Sequence, residues 1–254
     1  MTEDAVYLYA IGEAALAQDP TVPGLTGVDG APVRVTGSGA LTAAVSTVNA
    51  AAFSEEALRC NFDDLAWVEA TARAHHAVVD TLAQRHCIAP VRLATIYHTD
   101  DGVHHLLDHS GDAIMHALER LRGCGEWGVK AFRAAEPEPG LDVGADPARP
   151  GTAYLLRRRA ARDHAATMRK VTAVTVEQAY RELAEHAVAS RRYPTQDPRL
   201  TGRSEEMLLN AAYLIDLRHI EQFRMAADQW EGQGLRLELA GPWPAYSFTA
   251  VEQP

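Results

Sequence analysis

One stretch limits every fold this chain can adopt. Residues 136–150, EPEPGLDVGADPARP, hold four prolines, carboxylates throughout and no apolar period. Proline fixes φ and removes a backbone donor, so neither a regular helix nor an inner strand is expected through the run. Such a composition reads as a boundary between domains. A chain of 254 residues has the length for two ordinary domains. The expected division is a first domain over 1–135, a linker over 136–150, a second domain over 151–240 and a tail over 241–254.

Before the boundary the apolar period alternates between two values. Ala5 to Ile11 is a short, continuous apolar and aromatic run, the pattern of a buried strand. Residues 12–32 are rich in Gly, Pro and Asp and read as loop. Val33–Thr36 and Leu41–Val48 flank Gly37-Ser38-Gly39 and predict a hairpin. Asp63 and Asp64 precede Leu65, Val68, Ala72, His75, Val79 and Leu82, spaced in threes and fours, which predicts a capped helix to about Arg85. Pro90–Tyr97 alternates as a strand, Val103–Leu121 reads as one helix, and Glu126–Ala134 alternates as a half-buried strand. This order fits an α+β ferredoxin-like sandwich with an extra hairpin. After the boundary, Thr152 to about Arg191 predicts a long helix with a possible break near Val171–Val176. Met207–Leu217 predicts a buried strand, His219–Glu231 a helix and Leu235–Leu239 a strand, stopped at Gly241.

Composition bears on what such a chain can bind. The formal net charge is −10, which opposes nucleic acid and anionic membrane surfaces. One basic cluster, Arg157, Arg158, Arg159 and Arg162, reads as a solvated helix face. No apolar run approaches the roughly 20 residues of a membrane helix. Glu3 and Asp4 stand where a signal peptide carries positive charge, so a soluble, cytoplasmic protein is expected. Cys60, Cys87 and Cys124 give neither a disulfide framework nor a CxxC metal signature.

The sharpest chemical constellation is HTDDGVHHLLDHSGDAIMH, residues 98–116. On one helix from Val103, His105, His109, Asp112 and His116 share a face, and His at i and i+4 is a metal-ligand spacing. The alternative function is therefore a metal-dependent enzyme using His105, His109 and His116. The competing reading is a solvated face opposite Leu106, Leu107, Ile114, Leu118 and Leu121. His75 lies on the apolar face of its helix and reads as a core histidine. No GxSxG elbow, P-loop or GxGxxG occurs, and no coherent set of catalytic roles emerges. No cofactor is expected.

The chain closes on GPWPAYSF, residues 241–248. Pro242 and Pro244 restrict the backbone, so ordering this stretch loses less entropy. Trp243, Tyr246 and Phe248 together offer several hundred Å² of apolar area, at roughly 150–250 Å² each. Either the run straps back onto its own chain or it docks a partner, for which Trp and Tyr are favoured anchors.

Six stretches resemble one family, in that family's order: AVYLYAIG, APVRLATIYHTDDGV, EWGVKAF, PGTAYLLRRR, LLNAAYLID and GPWPAYSF. Together they are similar to the gas vesicle protein F/L family and span nearly the whole chain. Where that family tends to carry Phe-Gly, this chain has Leu93-Ala94, which bears on local packing. The resemblance implies a non-catalytic accessory or minor structural protein of gas vesicle formation. It also implies binding to the major gas vesicle shell subunit and to other accessory gas vesicle proteins, and a cytoplasmic, vesicle-associated location. The implied fold is a ferredoxin-like N-terminal domain and a modified ferredoxin-like C-terminal domain with an aromatic tail.

Overall fold

The computed structural model describes residues 4–134, 150–197 and 205–249. The linker expected at 136–150 lies outside them except for Pro150. Two compact units form, Met1–Glu126 with Pro242–Pro254, and Trp127–Gly241.

The first unit is organised by β1 (Asp4–Glu13), in which every residue from Ala5 to Gly12 is buried. A strand with no polar face must be covered on both sides. It lies between β3 (Leu41–Asn49) and β4 (Ile88–Pro90), antiparallel to both. β2 (Val33–Ser38) continues beyond β3, giving the order β2-β3-β1-β4, and β5 (Ile96–Tyr97) also pairs β1. The β2–β3 turn is tighter than the sequence suggested. Ser38 pairs with Leu41, so Gly39 and Ala40 alone close it, with Gly39 at φ 59°, a conformation that glycine adopts without a Cβ penalty.

One face of this sheet carries Ala5, Tyr7 and Tyr9, packed with Val78, Val79 and Leu82 of α2 (Leu65–Ala83). Asp64 caps α2 by accepting from the Ala66 and Trp67 N–H groups. A shorter helix that the periodicity did not reveal, α1 (Glu55–Asn61), precedes it behind a Ser54 cap. Residues 14–30 form short 3-10 turns whose Leu16, Val22 and Val28 join the same core. They are pinned by the buried Asp19 carboxylate, which accepts from the Thr21 N–H and hydroxyl, Arg85 and His86. These bonds, that of the Thr21 N–H foremost, hold its pKa well below the carboxylate range.

The other face meets α3 (Asp100–His109). Arg34, Thr36 and Ser38 of β2 bond Asp100, His104 and Asp108 in turn. A strand period of two here matches a helix period of four. The single helix expected over 103–121 is two, α3 and α4 (Gly111–Leu121), because the backbone leaves the helical region at Ser110 before a glycine. The strand expected over Pro90–Tyr97 is likewise split into β4 and β5. Between them Ala94 sits at φ 61°.

The second unit is built on β6 (Cys124–Arg133), with the order β7-β8-β6-β9. Sequence reading made β6 the last strand of the first domain, but its pairing and the packing of Trp127, Val129 and Ala131 place it in this core. α5 (Pro150–Glu185) runs as one helix of 36 residues. β7 (Ala189–Arg192), β8 (Met207–Asp216), α6 (Ile220–Asp228) and β9 (Leu235–Trp243) follow. Alternate residues of β6 and of β8 (Leu209, Ala211, Tyr213, Ile215) face Val176, Ala179 and Leu183 of α5 and Phe223, Ala226 and Ala227 of α6. β9 does not stop at Gly241; it runs through Pro242 to Trp243. As an edge strand it tolerates a proline.

Candidate functional site

Residues 242–249 return to the first unit. Tyr246 packs against the core of β1 and α2, and Ala245 and Phe248 are buried. Three polar contacts fasten the segment. The Ser247 N–H and hydroxyl donate to Glu126, and the Thr249 hydroxyl donates to the Pro90 carbonyl at 2.9 Å.

The Tyr246 ring lies 6.1 Å from that of His75 and 6.4 Å from that of His76. His75 is buried within an aromatic group that includes Tyr7 and Tyr9, its ring 5.7 Å and 5.6 Å from theirs. The Tyr7 hydroxyl accepts from the Ala94 N–H at 3.0 Å and lies 3.0 Å from His75 Nδ1, with its own proton free to donate there. A donating Tyr7 hydroxyl goes with the neutral imidazole that carries its hydrogen on Nε2. Burial, with the nearby His76 adding to it and the Val91 carbonyl opposing it, lowers the His75 pKa from 6.5 to about 4. The Tyr246 phenol is pushed up by burial and by the carboxylates of Asp80 and Glu126. Neither group is set up for proton transfer near neutral pH; they form a packed seat.

Of the three rings singled out in the tail, Tyr246 and Phe248 face inward. Trp243 keeps 47% of its surface exposed, its ring 5.9 Å from His76. Sequence reading did not find the seat itself, because His76, Glu126 and Pro90 are distant in the chain and carry no local signal.

The histidine constellation divides at Ser110. His105 and His109 stack within α3 with centroids 5.8 Å apart, whereas His116 lies on α4 beside Glu119 at 3.7 Å. Among the described residues no group of three or more His, Cys, Asp or Glu side chains is placed to hold a metal ion. No described helix is long and apolar enough to cross a membrane.

The family model described as gas vesicle synthesis protein GvpL/GvpF matches residues 5–250. Gas vesicle protein L of Streptomyces sp. (strain CB03234) is 37% identical, over 99% of this chain and 95% of its own. Two crystal structures share the fold. GvpF from Anabaena sp. PCC7120 has a TM-score of 0.62 at 16% identity, covering 98% of each chain. GvpF from Microcystis aeruginosa has a TM-score of 0.60 at 19% identity, covering 96% of this chain and 98% of its own.

Proposed function

This chain belongs to the GvpL/GvpF family of gas vesicle synthesis proteins, and on that premise we propose that it is a non-catalytic accessory and minor structural protein of gas vesicle formation. It binds the major shell subunit and other accessory gas vesicle proteins during assembly, in the cytoplasm and at the vesicle. The observation that carries this reading is the family match across almost the whole chain. A shell subunit that faces gas must present an apolar surface, which is an aggregation hazard before assembly. A chain of net charge −10 with a half-exposed tryptophan on a fixed segment is suited to hold such a surface in solution. We assign that contact to Trp243, with Tyr246 and Phe248 fixing the segment beneath it.

We also read both units as ferredoxin-like. The support is their common strand order and, in the second unit, the succession β6-α5-β7-β8-α6-β9. The first unit departs from that pattern, with 3-10 turns in place of one helix and α3–α4 added on the opposite face.

The test is co-purification of the unmodified chain with the shell subunit, beside an unrelated acidic protein. Stoichiometric retention by this chain alone is expected. Equal retention by both, or by neither, overturns the proposed role.

A further inference from the structure

Two exposed surfaces in this chain are opposite in charge, and the acidic one carries apolar side chains. The first is on α5. Between 157 and 170 the sequence holds Arg157, Arg158, Arg159, Arg162, Arg169 and Lys170 against the single carboxylate Asp163, in a chain of net charge −10. Arg158, Arg162 and Arg169 are exposed and recur at steps of four and seven, so they share one helix face. The core residues of α5 come later, from Val176.

The second surface is the corner between α1 and α2. Helix α1 contributes no buried residue. Phe62 is 47% exposed and rests edge-on against Trp67, and Leu65 is 82% exposed. The same stretch of sequence holds Glu55, Glu56, Asp63, Asp64 and Glu69, with Arg59 and Arg73 as its cations. Arg59 pairs Glu55, Arg73 pairs Glu69, and Asp64 caps α2, while Glu56 and Asp63 stand exposed. An exposed leucine and phenylalanine in an acidic stretch have the composition of an interface for a basic helix.

We propose that copies of this chain associate head to tail, with the basic face of α5 in one copy seated on the acidic, apolar α1–α2 corner of the next. Because the two patches differ, the contact is heterologous and closes into a ring or extends into a chain. Charge matching sets the register and the rate of encounter, and Phe62, Leu65 and the aliphatic stems of the α5 arginines supply the buried area. This contact does not depend on shell-subunit binding.

Sedimentation velocity of the full chain tests it. Species of at least twice the monomer mass are expected at about 0.05 M salt, dissociating at about 0.5 M, where screening shortens the reach of the charges. A variant with Arg158→Glu, Arg162→Glu and Arg169→Glu is monomeric at low salt, as is one with Glu56→Lys and Asp63→Lys. An equimolar mixture of the two associates again. Leu65→Ser, which touches no charge, weakens association about tenfold. All these positions are exposed, so melting temperatures hold. A monomeric unmodified chain at low salt overturns the proposal. So does association that survives in either charge-reversed variant alone, or a mixture that stays monomeric.

Discussion

The two units order their strands alike and fill their cores differently. β2-β3-β1-β4 and β7-β8-β6-β9 are the same arrangement in succession. Yet β1 is buried along its length, while β6 alternates buried and half-buried residues. The contents differ as well. Among the described residues, the buried polar side chains Asp19, Thr42, Ser46, Thr71, His75 and Thr95 all lie in the first unit. Several are wired together, as in the chain from the Ala94 N–H through Tyr7 to His75, and from Val28 through Tyr9 and Ser46 to the Pro32 carbonyl. Among the described residues, the buried Trp127 and Trp230 indole N–H groups of the second unit find no acceptor, and His75 Nε2 is the one such atom of the first unit. One strand order therefore supports two kinds of core. The first is specified by polar pairing between distant segments, including the C-terminal strap, and the second by apolar packing of helices on one sheet face.

The largest expected effect follows from the coverage of β1. Leu8→Ala should destabilise by about 2–5 kcal/mol, because the residue is fully enclosed. Lys130→Ala on the half-buried face of β6 should stay within about 0.5 kcal/mol. Equal losses in chemical denaturation would erase the contrast between the two strands.

Acid sharpens the contrast next. The His75 pKa of about 4 in the folded chain lies below its ordinary 6.5. The unfolded chain therefore binds this proton first, and stability falls as pH drops from about 6.5 towards 4, by up to about 3 kcal/mol from this group. Other groups near the ring are Tyr7, Tyr9, His76 and Tyr246, with Asp80 and Glu126 beside Tyr246. His75→Leu should flatten the slope of unfolding free energy against pH in that window. An unchanged slope would remove His75 as its source.

A smaller loss is expected at Gly27, where an added Cβ would collide with the Tyr9 hydroxyl. Gly27→Ala should destabilise by about 1–3 kcal/mol, and a neutral melt would show that the Tyr9–Val28 contact yields. The smallest effect has the opposite sign. Ala94 holds a left-handed backbone that suits glycine. Ala94→Gly should stabilise by about 0.5–1 kcal/mol, and a lowered melting temperature would contradict that geometry.

Much of this fold was legible in the sequence where the pattern is local. The apolar run of β1, the Asp64 cap, the spacing of α2 and the alternation of β6 each state their element. The failures are equally local in cause. A single Ser110-Gly111 step breaks a helical period that otherwise continues, and with it the helix face that suggested a metal site. Ala94 interrupts an alternating strand without a proline or glycine to mark it. α1 buries no residue, so it leaves no apolar stripe to read. Trp243, Tyr246 and Phe248 were visible as anchors, but which ring faces inward depends on His75, His76 and Glu126, and no spacing reveals that.

On the proposed reading, Tyr246 fixes the C-terminal segment and Trp243 meets the partner. The most direct test is shell-subunit retention, measured with the melting temperature, for the unmodified chain, Trp243→Ala and Tyr246→Ala. Trp243→Ala is expected to keep its melting temperature and lose the subunit, while Tyr246→Ala melts several degrees lower. Full retention by Trp243→Ala, or an unchanged melting temperature for Tyr246→Ala, would contradict that reading.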